Sequence, residues 1–177
     1  MNRRNLLTAS TAVLAAASVT SLSAAIESPV LLTIRGQIGR SKRTVGAGTQ
    51  EGANGFNYCF SEAEFLALPQ SRIVTSTAWT PRCAFDGPRM TDVLAHVEGR
   101  GNKLLVQALN DYSVSIPCDD LARFGAILAH SADGRRMKRD RFGPLWVIYP
   151  RDQFPDELDG PIAVARFVWQ VKTIEVQ

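Results

Sequence analysis

Asn110-Asp111-Tyr112-Ser113-Val114-Ser115-Ile116-Pro117 opens the stretch that decides the fold, and Gly143-Pro144-Leu145-Trp146-Val147-Ile148-Tyr149-Pro150 closes it, with an Asp133-Gly134 turn between them. Asn110-Asp111 suits a tight reversal, because short polar side chains bond their own backbone and tolerate left-handed φ. Strands are therefore expected on either side of it, over Lys103 to Leu109 and Tyr112 to Ile116. Asp119 or Asp120 is placed to cap a short helix running through Leu121 and Phe124. Ala126 to Ala129 reads as a buried strand entering the Asp133-Gly134 hairpin, and Leu145 to Tyr149 is apolar on both faces, as an interior strand is.

Outward from this stretch, Val30 to Ile34 reads as a first strand, and Phe167 to Val176 as a closing segment that is strand at its end. Gly36 to Tyr58 is polar and glycine-rich, with Arg40, Lys42 and Arg43 in it; its Gly46-Ala47-Gly48 spacing matches no nucleotide fingerprint, so it reads as a surface loop. Ser61 and Glu64 form a capping box for a helix that Pro69 stops. Ile73 to Thr77 is strand-like, and Asp86-Gly87-Pro88 reads as a turn into a second helix. There Met90, Val93, Leu94 and Val97 share one face, and Gly99 closes it. Strands and helices intersperse without regular βαβ alternation, so the expected class is α+β, a mixed sheet with short helices.

Arg3 and Arg4, the apolar run Leu6 to Val19, and the small residues Ser23-Ala24-Ala25 read as a signal peptide over residues 1–25 cleaved before Ile26, with one domain over 26–177. The Arg3-Arg4 pair resembles a twin-arginine signal, which points to a periplasmic or otherwise exported protein. The apolar run is too short for a bilayer, so no stable membrane span is expected after processing. Without residues 1–25 the 20 Lys and Arg fall by two against 17 acids, leaving about +1, which argues against nucleic acid as the partner. Cys59, Cys83 and Cys118 leave at least one thiol unpaired within the chain. With His96 and His130 as the only histidines and no Cys-x-x-Cys pair, a structural zinc site is not expected.

The ordered set formed by Thr75-Ser76-Thr77-Ala78-Trp79-Thr80, Phe85-Asp86-Gly87, Asp92-Val93-Leu94, the opening blocks and Val168-Trp169-Gln170-Val171 resembles the molybdopterin-binding domain of the sulfite-oxidase superfamily, from about Leu66 to Val176. The resemblance implies a molybdenum pterin cofactor, oxygen-atom transfer on a small oxyanion or sulfoxide, and a small-molecule anion or redox protein as partner. In that family a cysteine thiolate just after the strand matching Ile73 to Trp79 binds the metal; here no cysteine stands there, and Cys83, a few residues on, is the one candidate metal ligand. Cys83 reads first as a small buried residue or a disulfide half.

By the same resemblance, Tyr112 is the candidate catalytic residue, a phenol able to hydrogen-bond an oxyanion; a packed tyrosine at a strand start is an equal reading. Arg139 and Arg141 are expected to hold a cofactor's anionic groups, and Arg166 and Lys172 fall in a segment that contacts cofactor in the family. Arg135 and Arg136 read as solvated hairpin charges. Trp146 and Trp169 are expected in the core, Trp79 in the core or against a ligand, and His130 as a satisfied core histidine. Two functions follow: an exported oxidoreductase of this fold, or a non-catalytic domain that binds a small ligand or a protein partner without molybdenum.

Overall fold

The computed structural model describes residues 29–41 and 57–177. Residues 1–25, expected to be a signal peptide, together with Lys42, Arg43 and the Gly46-Ala47-Gly48 segment, lie outside the described residues. The strands are β1 (Val30–Gly36), β2 (Asn57–Ser61), β3 (Gln70–Thr75), β4 (Cys83–Pro88), β5 (Lys103–Ala108), β6 (Ser113–Pro117), β7 (Ile127–Ala129), β8 (Ser131–Ala132), β9 (Arg135–Arg136), β10 (Trp146–Ile148) and β11 (Val171–Val176). Between them stand helices α1 (Glu62–Ala67), α2 (Met90–His96), α3 (Cys118–Phe124), α4 (Pro155–Leu158) and α5 (Pro161–Val164), with a 3-10 turn at Arg151–Gln153. The class is α+β with mixed sheets, as the sequence implies.

Three sheets form among the described residues. The largest has the order β2-β1-β11-β5-β6, with β1 and β11 parallel and the other pairs antiparallel. A second has the order β3-β4-β8-β9, and β10 pairs with β7 alone. Leu32, Ile34, Leu104, Val106 and Ile174 point into a core that they share with Phe65, Phe85, Ile127 and Trp146. The Trp146 indole N–H donates to the Phe167 carbonyl at 3.0 Å, so this ring is buried without an orphaned donor.

Local logic holds at several elements. The Ser61 hydroxyl accepts from the Glu64 N–H, and the Glu64 carboxylate accepts from the Ser61 N–H at 3.0 Å. Asp111 takes φ 64° in the β5–β6 reversal, which its short side chain tolerates.

Four expectations are corrected. Asp86-Gly87-Pro88 is not a turn but the end of β4, and Gly87 is required there: a Cβ would lie 2.2 Å from the Leu128 carbonyl oxygen of β7. Tyr58 belongs to β2, not to the preceding loop, because its ring is buried with Phe60. Asp119 and Asp120 sit in the first turn of α3, whose N-cap is Pro117, where their charge still favours the helix N-terminus. Glu98, at φ 55°, ends the turn after α2 before Gly99 is reached. All three cysteines are free thiols. No helix among the described residues is long and apolar enough to cross a membrane.

Candidate functional site

Tyr112 follows the β5–β6 reversal, with its backbone N–H held by the Asn110 side-chain oxygen at 3.2 Å. Its phenol donates to the Ala165 carbonyl at 3.1 Å, across to the end of α5. Between these segments lies a pocket of about 420 Å³ lined by Trp79, Ala108, Asn110, Tyr112, Pro161, Val164, Ala165, Phe167, Val168 and Trp169. Two local devices set its aromatic walls. The Thr77 hydroxyl accepts from the backbone N–H groups of Trp79 and Thr80, at 3.1 and 3.0 Å, which fixes the turn carrying Trp79. Trp169 bridges β10 at Trp146 just before β11 begins. The Trp79 and Trp169 rings then meet edge to face, 4.5 Å between centroids at 84°.

β3 ends at Thr75, inside the Ile73-to-Trp79 segment that carries no cysteine. This residue is fully buried and its hydroxyl is committed: it donates to the Ser76 carbonyl at 3.2 Å and accepts from the Asp152 N–H at 3.0 Å. Ser76 donates its hydroxyl to Asp152 at 2.5 Å and its N–H at 3.0 Å. The Ser76 hydroxyl above all, with its N–H and Arg82 behind it, holds the Asp152 carboxyl below its ordinary range against the opposing effect of burial. These contacts bolt the Arg151–Gln153 turn onto β3.

Cys83 pairs with Thr75 in the β3–β4 register. It is half-buried and packs on the core, and it does not line the pocket. Burial pushes its thiol up, offset only in part by a hydrogen bond with Thr80. The cations expected to hold a cofactor do not converge on the pocket either. Arg166 is engaged by Asp120. Lys172 is exposed on β11. Arg139 and Arg141 lie on an exposed loop whose carbonyls accept from the Gln170 side-chain amide, at 2.7 and 3.2 Å. Arg136 pairs with Glu62.

His130 is half-buried, with Nε2 3.1 Å from the Gln70 side-chain oxygen and Nδ1 without a partner among the described residues. Tyr112 and Trp79 are thus brought together, while Cys83, Arg139, Arg141, Arg166 and Lys172 are not among the lining side chains.

As placed, this set does not fit a molybdenum pterin. The pocket offers no thiolate and no cation for a phosphate, and no group of three or more His, Cys, Asp or Glu gathers among the described residues. Trp169, expected in the core, is instead a half-buried pocket wall. The segment Pro161 to Ala165 supplies Pro161, Val164 and Ala165 to the lining and is absent from the sequence expectations. Its signal is Gly160-Pro161, a proline at the first helical position.

No family model matches the chain, and no curated protein matches it. Among solved structures it is similar to the sulfane dehydrogenase SoxCD from Paracoccus pantotrophus, with a TM-score of 0.56 at 14% identity over 83% of this chain. The chain spans 38% of that neighbour's length. The likeness establishes a shared fold, mixed α+β as the sequence implies.

Proposed function

We propose that this chain is an exported ligand-binding domain on a sulfite-oxidase-type fold, working without a molybdenum centre. The observation that carries it is the lining of the pocket beside Tyr112: apolar atoms dominate, and neither a thiolate nor a charged side chain belongs to it. A site of this composition recognises apolar surface and orients it with few polar groups. Thr75 supports the same reading, since its hydroxyl serves the packing of the Arg151–Gln153 turn.

The second reading is an oxidoreductase, favoured by Tyr112 lining the pocket and by the fold shared with a dehydrogenase. Metal and pterin analysis separates the two, on protein purified from a host that makes molybdopterin, with Cys83→Ser alongside. Substoichiometric molybdenum in both proteins is the expected result. Stoichiometric molybdenum lost in the variant would replace this reading with the enzymatic one and make Cys83 the ligand.

A further inference from the structure

We infer that the pocket takes an uncharged carbonyl compound: an apolar body that bears a hydrogen-bond acceptor and carries no donor of its own. This rests on the ligand-binding reading and names the ligand class for the same site.

Charge sets the first limit. No Asp, Glu, Lys, Arg or His lines the pocket. A charged ligand would leave water for a site with no counter-charge, and that transfer is costly unless the charge is paired. The volume, about 420 Å³, falls within the range of small-molecule sites, roughly 300 to 1,000 Å³.

Hydrogen-bond accounting sets the second limit. The backbone carbonyls of Ala108, Tyr112, Pro161, Val164 and Val168 accept from backbone N–H groups at 2.8 to 3.2 Å. Those of Ala165 and Phe167 accept from the Tyr112 hydroxyl and the Trp146 indole. The Asn110 side-chain oxygen accepts from the Tyr112 N–H at 3.2 Å. The acceptors of the lining are thus largely spent, and its donors are not. The indole N–H groups of Trp79 and Trp169 and the side-chain NH₂ of Asn110 have no acceptor among the described residues. Three donor groups on the lining side chains therefore stand open against one acceptor, the Tyr112 phenol oxygen. A carbonyl oxygen answers that surplus, whereas a hydroxyl or an amine brings a donor of its own to a lining poor in acceptors.

The mouth of the pocket continues its apolar character into solvent. Trp79 and Tyr112 are exposed, and two lining segments carry a further exposed aliphatic neighbour, Leu109 and, at 74%, Ile162. Four of the six exposed large hydrophobic residues among the described residues therefore lie at one pocket. Such clustering marks a surface that is covered in use.

The test is equilibrium dialysis of the purified chain against four probes of similar bulk: butyrophenone, the alcohol made by reducing its carbonyl, butylbenzene and sodium phenylbutyrate. A pocket that offered only apolar contact would rank them by hydrophobicity, with butylbenzene tightest. The open donors reverse that order. Butyrophenone is expected to bind about fivefold more tightly than butylbenzene or the alcohol, and phenylbutyrate at least about tenfold more weakly than butyrophenone. Trp79→Phe/Trp169→Phe removes both indole donors and keeps two rings, so the ketone advantage over the hydrocarbon is lost; a circular-dichroism melt verifies that the variant is folded. Asn110→Asp, at an exposed position, keeps the acceptor for the Tyr112 N–H and replaces the donor, so the ratio of ketone to alcohol binding falls to about one or below.

Tightest binding of butylbenzene in the unaltered protein overturns the acceptor-bearing ligand and leaves the apolar ligand-binding reading standing. Tightest binding of phenylbutyrate, or of the alcohol, overturns the inference, as does failure of every probe to bind. An unchanged ketone-to-alcohol ratio in Asn110→Asp together with an unchanged ketone advantage in the tryptophan variant also overturns it. The molybdenum analysis tests the ligand-binding reading independently of these outcomes.

Discussion

Removing the Tyr149 hydroxyl should make this protein more stable. Tyr149 is 1% exposed, and its ring packs on Phe167 and Phe124 at centroid distances of 5.4 and 6.1 Å. Its phenol oxygen has no hydrogen-bond partner among the described residues. Burial above all, with the Asp120 carboxylate second, pushes the phenol further above its ordinary range, so the group stays neutral at any working pH. An orphaned buried hydroxyl costs roughly 1–3 kcal/mol, and the small void left by deleting one oxygen returns a few tenths of that.

Tyr149→Phe should therefore gain about 1 kcal/mol in urea unfolding with an unchanged m-value, and about 2–4 °C in Tm. A loss of about 0.5 kcal/mol or more would refute the reasoning and mean that the hydroxyl is satisfied after all. The neighbouring Trp146→Phe supplies the contrast. It removes a satisfied donor and orphans the Phe167 carbonyl, so it should destabilise by about 2–3 kcal/mol.

Thr75→Val keeps the volume but leaves the Asp152 N–H without its acceptor, and should cost about 1–3 kcal/mol in urea unfolding; a neutral result would show that the bond contributes nothing. Burial first, then Arg136, lowers the His130 imidazole below its ordinary 6.5 against the pull of Asp86 and Glu62. Below 6.5 the unfolded chain then binds the proton more readily than the folded one, so stability present above that pH is lost as pH falls through the folded value. Melting curves at neutral and mildly acidic pH should show a smaller acid-induced drop for His130→Gln than for the parent, and equal drops would refute this. Cys83 and Cys118, both raised by burial, should react with iodoacetamide more slowly than a free thiol at neutral pH and accelerate above pH 9; prompt labelling of the folded protein would contradict it.

The sequence displayed its fold wherever local chemistry and tertiary packing agreed. The Ser61–Glu64 box, the apolar face of α2 and the Asn110-Asp111 reversal are complete within a few residues, so each was legible alone. Gly87 was not: read locally, Asp86-Gly87-Pro88 is a turn, and only the approach of Leu128, 41 positions further along the chain by simple numbering, explains a glycine inside a strand. The site divides in the same way. Tyr112 and Trp79 are legible because their motifs sit at the pocket, whereas position alone recommends Arg166, which is engaged by Asp120. Trp169 reads as core in the sequence because bulk and hydrophobicity cannot distinguish a buried ring from a pocket wall.

β11 is the last of the described strands, yet it lies in the interior of its sheet, between β1 and β5. Without β11, the pairs β1–β2 and β5–β6 are separate ribbons, each with an open inner edge that the same six residues, Val171–Val176, close. Such edges invite pairing with a second nascent chain. Deleting β11 would accordingly split the sheet in two and leave both halves adhesive, whereas losing β2 or β6 would only narrow it.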